Sequence, residues 1–544
     1  MGIFFCCALK IFQLAPPRRL VIQKIMHHQT LSRRTAVILS IVTGIFTGTS
    51  FIPFPPWALL FCLVPLWMVW LNESSYKRLF FYGWLAQFTT TIIGFNWVAY
   101  VSLEFGHMPW PVALLVLIIY SSVANLFMPF AAVTFGFLRD KLDLKLSSQL
   151  LLMVLLTHLF HEYTPTVFPW NLGYPLLWAK APAYHLAEWI GFVGLSLLVL
   201  FLNALVLWVW LHRKQQFKNM ALYTILATVT VSNGLGFYIS INQPAPDAEI
   251  KVLIVQANVG NLEKVYAEQG WGFRDTIAKK YMNLTKSALS DLSEKPDFVI
   301  WPESAYPRTL DEQTIFRTSQ SELLRFFATL DLSLITGAYG IGSQQGKPTN
   351  SVFVIRSGKL QEIHYSKLHL LIFGEYIPFS DRWPQLKKMI PAGDFEPGTQ
   401  PHVLPFDETL LGPQICYESL FPKYTKNVVD LGAEILVNVT NDSWYGTWQE
   451  PWQHLYMTVG RAVEFRRPLV RSTNTGISTV ALATGEVQQL SPMLEEWTGF
   501  YKVPYVKNPP ATIYKKLFWF IPALVWLLTV GLIVRAWRER IKIS

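Results

Sequence analysis

Cysteine is scarce in this 544-residue chain, which has only Cys6, Cys7, Cys62 and Cys416. No CxxC pair and no Cys/His cluster occurs, which excludes a zinc site of the usual spacings. Charge is thin as well. Asp, Glu, Lys and Arg supply 15% of the residues against 51% hydrophobic ones, a balance that excludes an ordinary soluble protein of this length. A cleavable leader is excluded because the first strong apolar run leads straight into a second. A myristoylation motif at Met1-Gly2 is excluded because Cys6 stands where Ser or Thr is required, and Met26 offers an alternative start. The formal charge of +10 invites a nucleic-acid reading. That reading fails, because many of the basic residues sit in short loops beside apolar runs.

What is present in abundance is hydrophobic sequence before residue 241 and after 515. Apolar stretches at about 35–52, 56–72, 79–102, 111–138, 147–162, 184–211, 220–240 and 515–536 approach the ~20 residues that a bilayer core requires. Arg33 and Arg34 precede the first. Lys77 and Arg78 follow the second, Arg139, Lys141 and Lys145 the fourth, Arg213, Lys214 and Lys218 the sixth, and Arg535, Arg538, Arg540 and Lys542 the last. The alternate loops are nearly free of Lys and Arg, so the charge rule places both termini in the cytoplasm and 241–514 outside, in the periplasm of a bacterium. Trp170, Tyr174 and Trp178 in the long connection 163–183 are expected at headgroup level, as anchors or as the wall of a lipid entrance. Cys62, inside a span, reads as a small apolar residue.

The middle of the chain has another grammar. From Glu249, short runs of Val, Ile and Leu alternate with helical segments near 273–294, 312–328 and 450–466. Several runs are apolar at consecutive positions, the mark of strands buried on both faces. Ser357-Gly358 between two of them predicts a tight hairpin.

Three loaded segments lie in this middle. VIWPESAYP carries Glu303, HYSKLHLLIFGEYIPF carries Lys367 and Glu375, and LLGPQICYESLFP carries Cys416, the sole cysteine between 245 and 512. A thiol attacks a carbonyl as thiolate and needs a base. Glu303 can take that proton if apolar surroundings raise its pKa, and Lys367 can stabilise the oxyanion that develops. Backbone N–H groups just after Cys416 offer a second donor, with Glu375 and Glu418 as supports. His369 or His454 offers the alternative of a Cys–His dyad.

Together these residues resemble the nitrilase superfamily, through WPES at 301–304, YSKLHLLIFGEYIP at 365–378, GDFEPG at 393–398, ICYES at 415–419 and RSTNTGIS at 471–478. LHLLIFGEYIP, the pair NDSWYG and PWQH at 441–454, and GTSFIPFPPW and FPWNLGY in the apolar half are similar to the apolipoprotein N-acyltransferase family in particular. That resemblance implies an αββα sandwich carried by about eight membrane spans. It assigns Glu303, Lys367 and Cys416 as catalytic residues, with Glu375, Tyr417 and Glu418 supporting them. It also implies acyl transfer from a phospholipid, through a thioester on Cys416, to the α-amine of a diacylglyceryl apolipoprotein, with no cofactor, no metal and no nucleic acid. Trp444, Tyr445, Trp448 and Trp452 are expected as a lid or lipid-contact loop. Two departures stand out: QANV at 256–259 followed by a late Trp271, and Leu371-Ile372 before Phe373.

The expected organisation is a cytoplasmic segment 1–34, a transmembrane bundle 35–240, a periplasmic catalytic domain 241–514, and a last span with cytoplasmic tail 515–544, in the bacterial inner membrane. Two rivals remain at this stage. One is a membrane-anchored amidase using the same triad on small C–N substrates; the other is a non-enzymatic lipoprotein-sorting component.

Overall fold

A computed structural model describes residues 31–104, 106–214, 217–260, 273–310, 318–343, 347–380, 382–385 and 393–541. Cys6, Cys7, Met26 and the stretch leading to Trp271 lie outside them. Helices occupy Arg33–Gly48, Val64–Asn72, Tyr76–Gly94, Trp97–Glu104, Trp110–Val123, Phe127–Leu142, Leu146–Tyr163, Ala187–Leu211 and Phe217–Ile241, with Phe520–Ile541 at the far end. Among the described residues, four stretches are long and apolar enough to cross a bilayer: Trp110–Leu142, Pro182–Leu211, Asn219–Ile241 and Phe520–Ile541.

The other apolar segments are shorter or broken. Segment 56–72 is helical only from Val64. Pro53, Pro55 and Pro56 lack the N–H a helix needs, and the chain around them runs in turns. Segment 79–102 is interrupted at Phe95-Asn96; the long stretch Trp110–Leu142 also breaks, at Ala124–Leu126, where Asn125 takes a φ of 57°.

The strands are β1 Ala248–Gln256, β2 Phe298–Ile300, β3 Tyr306–Thr309, β4 Ser333–Ile341, β5 Pro348–Arg356, β6 Lys359–Leu360, β7 Tyr365–Ser366, β8 Leu404–Phe406, β9 Thr409–Ile415, β10 Ile435–Thr440, β11 Leu469–Thr473, β12 Thr479–Ala481 and β13 Trp497–Tyr505. One sheet runs β13-β1-β2-β4-β5-β6, with β3 on β4 and β7 on β5; the other runs β12-β11-β10-β9-β8. Ser357 and Gly358, at φ 43° and 78°, make the turn between β5 and β6.

Side chains alternate across β1. Val252 and Ile254 share a core with Ile435 and Val437 of the second sheet. Leu253 and Val255 point the other way, onto Ile277 and Tyr281 of the Phe273–Asp291 helix and Phe327 of the Thr318–Leu330 helix. Val428 of the Pro422–Asp430 helix and Val459 of the Glu450–Phe465 helix join the second sheet's core. The result is the expected helix–sheet–sheet–helix sandwich.

One helix belongs to both halves. Every residue of Glu450–Phe465 except Trp452 is buried, because the sheet lies on one side of it and the apolar helices on the other. Gln453 Nε2 donates to the carbonyls of Ile52 and Gly94 at 2.8 Å each, and Gln453 Oε1 accepts from Trp97 Nε1 at 3.1 Å. Gln449 Nε2 donates to Ile93 O at 2.8 Å. These carbonyls lie at helix breaks, where no intrahelical partner reaches them. Arg461 donates to Tyr174 Oη at 2.7 Å, Glu464 accepts from Phe192 N at 2.8 Å, and Arg466 pairs with Glu188 at 2.8 Å.

The expectation that Trp170 and Tyr174 sit at headgroup level is corrected here. They are 5% and 2% exposed. Trp170 packs edge-on to Phe51, and Tyr174 stacks on Phe192 with centroids 4.7 Å apart. Trp178 packs edge-on to Tyr456 of the shared helix. These aromatics belong to the seam between the halves.

Gln453→Ala strands two buried carbonyls at that seam, at about 1–3 kcal/mol for each orphaned group. A lowered thermal midpoint in detergent is expected, and an unchanged midpoint would refute the role given to this side chain.

Candidate active site

Three strand ends converge from two sheets. Glu303 follows β2 across Trp301-Pro302, Lys367 follows β7, and Cys416 stands at the end of β9. Glu303, Lys367 and Cys416 are 7%, 1% and 5% exposed. Cys416 takes a φ of 54° and opens a short 3-10 turn, Cys416–Leu420. A β-strand that ends in such an elbow holds its side chain in a conformation that costs about 1–3 kcal/mol, so the surroundings must enforce it.

A closed ring of four side chains faces the thiol. Lys367 Nζ lies 2.8 Å from Glu375 Oε2 and 3.4 Å from Glu303 Oε1. Asn350, on β5, donates through Nδ2 to Glu303 Oε1 and to Glu375 Oε1, both at 2.7 Å. The backbone N–H of Leu371 donates to Glu375 Oε2 at 2.8 Å. Asn350 was not singled out by sequence reasoning, since an Asn within an apolar run reads as a strand polar residue until the fold sets it between two carboxylates.

Burial alone would push the Lys367 ammonium down, yet Glu375 and then Glu303 outweigh it and hold it well above the ordinary lysine value. The Cys416 thiol is pushed well above its ordinary value by burial and by the Glu303 charge, against the opposing pull of Lys367 and the Thr440 hydroxyl. At neutral pH the resting thiol keeps its proton, so attack on a carbonyl requires a proton acceptor at that moment.

Glu418 ties the lysine loop to the cysteine turn. Its Oε1 accepts from Tyr365 Oη at 2.8 Å and from the backbone N–H groups of Leu368 and His369 at 2.7 and 3.0 Å. Its Oε2 accepts from Ile415 N at 2.9 Å. Tyr417 adds a second tie by donating to Leu370 O at 2.7 Å, and its ring centroid lies 5.6 Å from Lys367 Nζ. Hydrogen bonds to a carboxylate are among the stronger ones, so Glu418 is a firm tie between the two segments.

The two histidines weighed as dyad partners are engaged elsewhere. The His369 ring stacks on Phe421 with a side chain 44% exposed. His454 Nδ1 lies 3.2 Å from Asp442 Oδ1 and 3.4 Å from Glu450 Oε1. Asp442, Glu450 and His454 bring their polar atoms within 4.8 Å of one another, and the buried guanidinium of Arg471 pairs with Asp442 at 2.8 Å. That cluster thus contains its own cation.

The four aromatic residues 444, 445, 448 and 452 divide. Tyr445 packs edge-on to Trp97, and burial holds its hydroxyl well above the ordinary tyrosine value. Trp448 is 60% exposed beside Phe54, whereas Trp452 packs on Trp178 in the seam. Gln256, in the divergent QANV segment, accepts from Thr473, Ser478 and Ser491 and is buried. That glutamine anchors loops of the second sheet.

Sequence comparison reaches both halves. The family described as carbon-nitrogen hydrolase matches residues 250–498, and the one described as apolipoprotein N-acyltransferase N-terminal domain matches 43–205. An apolipoprotein N-acyltransferase of Bdellovibrio bacteriovorus is 43% identical over 488 residues, covering 87% of this chain and 89% of its own. One from Geobacter metallireducens is 28% identical over 481 residues, covering 85% and 88%. Among solved structures, a carbon-nitrogen hydrolase from Helicobacter pylori is similar at 16% identity and a TM-score of 0.36, covering 47% of this chain and 89% of that one.

Gly337 of β4 provides a probe of the ring. A Cβ there would fall 2.6 Å from Glu303 Cα and from Ser304 N, too close for backbone that cannot swing aside. Gly337→Ala should displace Glu303 from Lys367 and slow acylation of Cys416 on the order of 10²-fold, the scale of a 1 Å misplacement. Acyl adduct on the Cys416 peptide, measured by mass spectrometry against time, checks this; a wild-type rate would contradict it.

Proposed function

Because this chain belongs to the apolipoprotein N-acyltransferase family, we propose that it moves an acyl chain from a phospholipid to the N-terminal diacylglyceryl-cysteine of an apolipoprotein by way of a thioester on Cys416. The observation that carries this reading is the buried Glu303–Lys367–Glu375–Asn350 ring beside the Cys416 elbow.

In the first step Cys416 Sγ attacks an ester carbonyl of the phospholipid while Glu303 takes the thiol proton. Lys367 and backbone N–H groups after Cys416 face the oxyanion. The C–O bond then breaks, the lysophospholipid alcohol leaves with the proton from Glu303, and the thioester remains. In the second step the acceptor's α-amine attacks the thioester, its proton passes to Glu303, the C–S bond breaks, and Sγ regains the proton as the amide departs. Glu375, Tyr417 and Glu418 hold the lysine loop against the cysteine turn. Trp448 and Tyr445 lie where a lipid chain or lid would meet the apolar half. Water competes with the amine for the thioester, so enclosure by apolar surface favours transfer over hydrolysis.

The architecture proposed with this chemistry has eight spans, both termini in the cytoplasm, and residues 241–514 on the periplasmic face of a bacterial inner membrane. A soluble-substrate amidase with the same triad is disfavoured, because such an enzyme has no use for the match over 43–205 or for a helix shared between both halves. Reporter fusions after Lys145 and Lys218 should read cytoplasm, and fusions near Pro246 and Lys507 periplasm. A cytoplasmic reading at Pro246 would overturn both the span count and the substrate class.

Two variants separate the roles, with Cys416→Ala as the inactive control. Glu303→Gln removes the base, and also an anion that holds the thiol up. The thiol pKa should therefore fall and thioester yield should climb as pH rises through it. Lys367→Met removes a cation that pulls the thiol down, so the thiol pKa should rise further, and the oxyanion also loses its partner at a cost of ~10²–10³-fold. High pH restores ionisation but not that partner. If Lys367→Met recovered fully at high pH while Glu303→Gln did not, the two roles would be reversed.

A further inference from the structure

Behind the Cys416 elbow runs a buried chain of polar side chains that the acyl-transfer chemistry does not use. Asn438, on β10, donates through Nδ2 to Gln414 O and to Cys416 O, both at 3.1 Å. Arg471, on the neighbouring β11, donates through Nη1 to Asn438 Oδ1 and through Nη2 to Asp442 Oδ2. Asp442 Oδ1 accepts from Thr440 at 3.1 Å and lies 3.2 Å from His454 Nδ1. His454 Nδ1 in turn lies 3.4 Å from Glu450 Oε1. Asn438, Arg471 and Asp442 are 0%, 0% and 2% exposed.

We propose that Arg471 and Asp442 are positioning residues for the nucleophile, acting through Asn438 to fix the main-chain carbonyls on either side of the Cys416 elbow. The proposal rests on the reading of Cys416 as the acylated residue. The logic is one of donors and acceptors. An amide can turn either end toward a carbonyl, and only its NH2 end can bond there. A guanidinium is a donor with no acceptor, so Arg471 claims the oxygen of Asn438 and leaves the NH2 facing Gln414 and Cys416. A buried guanidinium in turn needs a fixed anion, which Asp442 supplies.

Charge balance closes the argument. Burial would raise the Asp442 carboxyl, yet Arg471 and His454 hold it down at about 2. Glu450 is pushed up to about 7 by burial and by the Asp442 charge. His454 is raised, because its contacts with Asp442 and Glu450 outweigh burial and Arg471. One proton between His454 and Glu450 leaves the four groups neutral together, whichever of the two carries it. Cys416 feels this cluster through Asp442, and feels Glu303 and Lys367 from the opposite side.

The test uses the full chain in detergent with a defined phospholipid. Three quantities are read: thioester formation on Cys416, the pH midpoint of Cys416 alkylation by iodoacetamide measured on its peptide, and the thermal midpoint. Asp442→Asn removes an anion that opposes the thiolate, so the alkylation midpoint should move to lower pH while thioester formation falls on the order of 10²-fold, with lipid KM unchanged. Asn438→Asp keeps a partner for Arg471 but loses the NH2 donor and adds an anion, so the midpoint should move to higher pH with a similar loss of rate. Folded variants that form thioester at the wild-type rate would overturn the proposal. So would losses that only follow the folded fraction while the alkylation midpoints stay in place, the signature of a purely structural role. Wild-type protein that forms no thioester on Cys416 would instead refute the reading on which the proposal rests.

Discussion

A lysine ammonium buried to 1% exposure is the constraint on which this site depends. Such a cation is tolerable only with anions in contact, and removing one partner leaves a buried charge uncompensated at about 3–5 kcal/mol. Here two carboxylates meet it, and they would repel each other were Asn350 not donating to both. Glu375 is further tied to Leu371 N, so the loop after β7 is folded around the charge it delivers. The lysine thus has nowhere else to go, and its distance from the Cys416 elbow is set by backbone rather than by a flexible stem. A charge fixed in this way needs no reorganisation to meet an anion that forms beside it.

The same rule, that buried polar groups are satisfied or costly, explains how the sandwich is fastened to the apolar helices. Breaks near Ile52 and at Ile93–Gly94 leave carbonyls without helical donors, and buried groups left so cost about 1–3 kcal/mol each. Gln449 and Gln453 supply the donors from the Glu450–Phe465 helix and its start. The breaks and the glutamines therefore depend on one another. One consequence is that the second sheet and the apolar helices share one buried element, the Glu450–Phe465 helix.

Much of this was legible in the sequence. Short apolar runs alternating with helical segments marked strands interleaved with helices, the resemblance implied the αββα layering, and Glu303, Lys367, Glu375, Cys416 and Glu418 stood out because each ends a run that reads as a strand or follows one closely. What escaped notice shares a physical cause. Asn350 and Asn438 sit mid-strand, where a polar residue among apolar neighbours carries no signal of its partner. Arg471 lies in RSTNTGIS, where a charge beside small polar residues reads as loop. The Glu450–Phe465 helix was visible as a helix, but its charged positions imply a solvated face in any two-layer packing. Only a third layer, the membrane half, turns that face inward. Where the apolar segments break was not legible, because hydropathy ignores where prolines withhold donors and where Asn125 adopts a left-handed turn.

The two sides of the Cys416 elbow each act on the thiol. On the side of the Lys367 ring, Glu303 raises the thiol and Lys367 lowers it, so the thiol gives up its proton only where an acceptor is at hand. On the far side, Asn438 holds the carbonyls of Gln414 and Cys416, while Asp442 adds to what raises the thiol. Asp442 is paired with the Arg471 guanidinium at 2.8 Å, which blunts its push on the thiol without removing it, so Cys416 answers to charges on both sides of the elbow.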